Sequence, residues 1–240
     1  MFSLSGKLKQ MKWMTCGLTL LILGLMFCLE GGIASASGVQ AGEVIGFRWA
    51  FGALLGNNNE RKLERVAEEA TLKTGDQFKM MVELEKPCFV YVIYYNSKDG
   101  VKMLFPYDIN QFQTDYQVAK KYYIPQGDAW FELDQHVGRE TFHLLASAQR
   151  LTAMEELFNE YETADAAKRS ELIKRILYEI QSIKNINREL AAPAERPVPI
   201  GGAIRGMEKI QGNNLPDVAS IAEDIACTGS IARTYNIEHQ

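Results

Sequence analysis

The chain has 240 residues, 47% hydrophobic and 23% charged, with 26 basic and 30 acidic side chains. That is an ordinary globular composition, enough for one sizeable core. The acidic balance, formally −4, argues against nucleic acid or an anionic membrane surface as partner.

The first forty residues are of another kind. Lys7, Lys9 and Lys12 precede an apolar run of 17 residues, "WMTCGLTLLILGLMFCL" at 13–29, and "GGIASASG" follows. Basic, apolar, then small-residue is the order of a secretory signal peptide. Cleavage is expected between Ala36 and Ser37. An uncleaved inner-membrane anchor is the alternative, because 17 apolar residues sit at the short end of a spanning helix. Phe27 is the wrong neighbour for a lipidated Cys28. Loss of residues 1–36 removes three lysines and Glu30, leaving 23 basic and 29 acidic side chains, net −6. No membrane insertion is then expected. Cys88 and Cys227 stay behind, and an oxidising compartment allows them one disulfide. Two buried free thiols are the alternative.

Residues 37–70 read as an N-terminal arm and a helix. Phe47, Trp49 and Phe51 alternate as in a short strand packed on the domain. Asn59 then offers a helix cap, with Leu63, Val66, Ala67 and Ala70 on one face. Residues 71–150 read as a β core. "QFKMMVEL" alternates as a half-buried strand, and "CFVYVIYY" has no polar face, as in a strand buried on both sides. "NSKDG" turns the chain at Gly100, and "VKMLF" returns to Pro106. Further strands are expected at 118–125, at "AWFEL" and at "RETFHLLAS".

Residues 151–190 read as a helical hairpin. Thr152 and Glu155 form a capping-box pattern. The second helix, 165–190, carries Ile173, Ile176, Ile180, Ile183, Asn187 and Leu190 as a stripe, widened by Leu172, Leu177 and Ile186. Residues 191–240 read as a linker, a short helix at "DVASIAEDIA" and a final strand completing the same domain. The expected fold is therefore mainly β with helical additions. It is an antiparallel, immunoglobulin-like β-sandwich with a helical hairpin inserted before the last strand.

The ordered set Leu72, Gly75-Asp76, Tyr91, Gly100, Leu104-Phe105-Pro106, Ile124-Pro125, Gly138, Glu140 and Leu145-Ala146-Ser147 resembles the domain of unknown function 4384 family. The likeness covers about residues 72–150, with the C-terminal strand expected to complete that domain. It implies an accessory β module of the bacterial envelope. The family lends no catalytic residue.

Chemistry is thinly marked. His136, His143 and His239 lack metal-ligand spacing, so neither metal nor cofactor is expected. "LASAQ" around Ser147 is no nucleophile elbow. Asp128, Glu132, Asp134 and Glu140 form a local acidic group that could do acid–base work in a cleft. The best surface candidate is aromatic: Tyr94, Tyr95, Tyr107, Tyr122 and Trp130, which could stack on a sugar or anchor a peptide. The first expectation is an exported, periplasmic or extracellular, non-enzymatic binding or scaffolding module for an envelope protein or glycan. The others are an envelope hydrolase using the Asp128–Glu140 group, and a structural subunit self-associating through helix 165–190.

Overall fold

The structure, a computed structural model, describes residues 43–56, 61–190 and 216–240, with side chains in the second long helix as far as 186. The expected signal segment and cleavage site, Asn59, the side chains of Asn187 and Leu190 and the expected linker at 191–215 lie outside the described residues.

In chain order the strands are β1 (Val44–Leu55), β2 (Lys62–Arg65), β3 (Glu69–Leu72), β4 (Gln77–Leu84), β5 (Phe89–Asn96) and β6 (Gly100–Phe105). The single-turn helix α1 (Gln111–Thr114) leads to β7 (Lys121–Ile124), β8 (Phe131–Glu132) and β9 (Gly138–Ser147). Helices α2 (Thr152–Thr163) and α3 (Ala166–Leu190) follow. A 3-10 turn, Val218–Ile221, then leads to β10 (Glu223–Thr228) and β11 (Ser230–His239).

Two sheets face each other. One runs β10-β1-β4-β7, with β2 also on β1 and β8 also on β4; the other runs β3-β11-β9-β5-β6. The fold is a β-sandwich with helical additions. Alternation decides which side chains fill it. From β1 come Ile45, Phe47, Trp49 and Phe51, from β4 Phe78, Met80 and Val82, and from β9 Phe142 and Leu144, all in one core. Phe51 packs edge-on against Phe142 and Tyr235, each at 5.3 Å. Trp49 Nε1 donates to the Tyr235 hydroxyl at 2.9 Å, so the indole's one polar atom is satisfied inside the sandwich.

Strand β5 is buried on both faces, as its sequence predicts. Val90 and Val92 enter the sandwich core, while Tyr91 and Ile93 meet α2 and α3. The helical stripe finds its partner there: Leu172, Ile176, Ile180 and Ile183 are buried against Tyr91, Ile93 and Leu145. The stripe stops short of its predicted width, since Ile186 is exposed. Asp165 opens α3 by accepting from the Lys168 N–H at 2.9 Å. No helix among the described residues is long and apolar enough to cross a membrane.

Five expectations need correction. Within the expected N-terminal arm, Val44–Leu55 form the twelve-residue β1, paired on one edge with β4 and on the other with β10 and β2. Where a helix is expected after Asn59, the described residues form the two strands β2 and β3. Leu63 pairs with Leu54, and Ala70 pairs in parallel with Ile237. Its helical spacing loses because a short isolated helix is marginal, whereas pairing satisfies the open edges of β1 and β11. The "DVASIAEDIA" helix is the 3-10 turn followed by β10, which pairs with β1. The outer face of β4 is not solvated. Lys79 and Met81 are buried under the 3-10 turn and Trp130, and Lys79 Nζ donates to Gly127 O at 2.5 Å and Ala129 O at 2.8 Å. The capping box does not form: Leu151 is the N-cap without a side-chain bond. Glu155 instead pairs with Arg150 and accepts from the Tyr91 hydroxyl at 2.7 Å.

Candidate functional site

The two sheets part at the end where β5 and β11 finish and β4 and β9 begin. The turn after β5 is built by Asn96, whose Oδ1 accepts from the Lys98 N–H at 2.7 Å, and by Gly100 at φ +83°. Strand β8 pairs with only Gln77 and Phe78, so it leaves this end open. Between the sheets lies a cleft of about 380 Å³. Its apolar wall is Phe78, Phe131, Phe142 and Tyr94; Phe78 lies 5.2 Å from Phe131 and 5.4 Å from Phe142, and Tyr94 lies 5.3 Å from Phe142.

Glu140 lies in this cleft and is only 6% exposed. Its carboxylate accepts from the Tyr94 hydroxyl at 2.5 Å and from Asn96 Nδ2 at 2.8 and 2.9 Å. Burial, then the bond to Glu140, raises the Tyr94 hydroxyl well above its ordinary range, so it stays a donor. His239, 4% exposed, shares its Nε2 with Thr74 Oγ1 at 3.1 Å, while its Nδ1 has no partner among the described residues. At the rim His136 contacts Asp134 through both its backbone N–H, at 2.7 Å, and its Nδ1, at 2.9 Å. Those two bonds hold the Asp134 carboxyl below its usual range. Gln77 Nε2 donates to Glu132 at 2.8 Å.

The predicted aromatic surface does not converge. Tyr94 alone of the five lines the cleft. Tyr95 packs with the helices, and Trp130 lies with Lys79 on the outer face of the opposite sheet. Tyr122 is core, stacked on Tyr116 at 5.7 Å. Tyr107 packs edge-on against Phe105 and donates its hydroxyl to Tyr123 O at 2.5 Å. The acidic group divides too. Glu132, Asp134 and Glu140 reach the cleft; Asp128 does not line it and acts electrostatically on Lys79. Phe78, Phe131, Phe142 and Asn96 carry no local signal beyond a strand or turn pattern. His239 reads in sequence as one more structural histidine.

Cys88 and Cys227 are free thiols, so the bridge weighed from the sequence is not formed. Their sulfurs turn to different carbonyls, Gly46 O at 4.0 Å and Ser230 O at 3.4 Å. Burial raises both, Cys88 to about 11, which makes them poor nucleophiles at neutral pH. Among the described residues no three His, Cys, Asp or Glu side chains gather to hold a metal ion.

Fold and site together define a β-sandwich module with an aromatic, carboxylate-bearing cleft at one end. Residues 71–150, a third of the chain, match the family model described as domain of unknown function (DUF4384). The matched segment runs from the end of β3 to just past β9 and includes Glu140. No curated protein and no solved structure matches the chain.

Proposed function

We propose that the chain is an exported, non-enzymatic binding module of the bacterial cell envelope, engaging a protein or glycan partner at the open end of its sandwich. The observation that carries this is the cleft itself. A recess of about 380 Å³ joins an aromatic wall to a buried carboxylate whose donors are already in place. Apolar walls with a few fixed polar groups are what a recognition pocket needs. Export rests on the basic, apolar and small-residue order of residues 7–36. Self-association through helix 165–190 has less support, because α3 buries its stripe on its own sheet.

The test is photo-crosslinking in cells. A crosslinking side chain in place of Phe131 should capture a discrete adduct, while one in place of Tyr178, exposed on α3, should not. Adducts from position 178 alone, or from neither, would overturn the assignment of the cleft as the binding surface.

A further inference from the structure

The cleft's chemistry is one-sided. Buried carboxylates are normally paired with a cation, because an uncompensated charge out of water is costly. Glu140 has three neutral-donor bonds, and no ion pair joins it to a basic side chain among the described residues. A carboxylate has about four lone-pair sites, so Oε1, with Asn96 as its one donor, keeps room for another. The Nδ1 of His239 is a buried polar atom on the same lining with no partner among the described residues. If Nε2–H is placed on Thr74 Oγ1, Nδ1 is an acceptor as well. Four carboxylates line the cleft, Asp99, Glu132, Asp134 and Glu140, against two lysines, Lys98 and Lys102. Aromatic rings line the cleft beside them, and the face of such a ring attracts cations.

Resting on the binding reading above, we infer that the cleft takes an organic cation, an ammonium or guanidinium on an alkyl stem. The charged head would donate to Glu140 and His239, and the stem would lie along Phe78, Phe131 and Phe142. A basic side chain of a partner protein and a free polyamine share this chemistry.

Amide NMR shifts of the full chain, titrated with four probes, test it. N-acetyl-lysine methylamide and spermidine should move Asn96, Phe131 and Asp134 saturably at millimolar concentration. The neutral isostere N-acetyl-norleucine methylamide should bind at least tenfold more weakly. Glu140→Gln should remove that preference. Asp134→Asn, an exposed change that leaves the fold intact, should weaken both cations two- to threefold. Tighter binding of the lysine compound assigns a protein partner, and tighter binding of spermidine assigns a polyamine. Equal binding of the norleucine compound overturns the inference, as does the absence of cation shifts. If the fourth probe, an N-acetylglucosamine dimer, shifts the cleft while the cations do not, the cation inference falls and the binding reading stands.

Discussion

His143 shows how one side chain ties this fold to pH. It lies in mid β9, 8% exposed, with Nδ1 3.1 Å from Thr234 Oγ1 in the neighbouring strand. Lys184 of α3 donates to the same hydroxyl at 2.8 Å, which leaves that hydroxyl's proton free for the imidazole. Burial, then the Lys184 charge, lowers His143 to about 4. The imidazole is therefore neutral when folded, and the unfolded chain takes up a proton near pH 6.5. Stability rises with pH between 4 and 6.5, and it is lost as pH falls through that window. The loss amounts to roughly 3 kcal/mol by pH 4. Urea unfolding of His143→Gln should show a flatter dependence than the parent across this range; equal slopes would refute the assignment. Tyr91 is the second residue of this kind. Its hydroxyl accepts from the Leu151 N–H at 2.9 Å and donates to Glu155, so it holds the start of α2 on β5. Tyr91→Phe should cost about 1–3 kcal/mol in urea unfolding, because buried partners are left unsatisfied.

Among the elements, the turn between β5 and β6 is the most constrained. Gly100 takes φ +83°, and a Cβ there would meet the Tyr161 hydroxyl of α2 at 2.5 Å. Gly100→Ala should cost on the order of 1–3 kcal/mol from backbone strain and crowding. In a Tyr161→Phe background the next contact is Ile173 Cδ1 at 3.4 Å, so the penalty should shrink. An unchanged penalty in that background would mean the strain is all backbone. The core has its own measure. Phe51→Ala, in the middle of the aromatic cluster, should cost about 3–5 kcal/mol in denaturant unfolding.

For the whole molecule, the last strand matters more than its terminal position suggests. Strand β11 lies between β3 and β9, with ten residue pairs to β9. Deleting residues 230–240 should abolish cooperative unfolding measured by circular dichroism, because β3 would lose its partner strand and β9 one of its two. A cooperative transition in the truncated chain would show that the two sheets stand without it. This closure also makes the cleft. Its lining comes from β4, β5, β6, β8, β9 and β11, separated by up to 161 residues from Phe78 to His239.

Much of the fold was legible in the chain. The two-sided apolar pattern of 88–95 identified a central strand, and the isoleucine spacing of α3 identified a buried helical face, because periodicity records which sides meet water. The Gly100 and Leu-Phe-Pro signals located turns correctly, because their backbone demands are local. Residues 62–72 and 218–226 were not legible. Their helical patterns are short, and strand edges far away in sequence decided against them. The site was legible only in pieces. Glu140 and Tyr94 stood in the lists of acidic and aromatic residues, and nothing local joined them. By itself the sequence determined the elements with strong periods, the turns and the acidic charge. Only tertiary structure decided that Glu140, Tyr94, Asn96 and His239 share one cleft, because side chains from distant strands meet only once both sheets close on a common core.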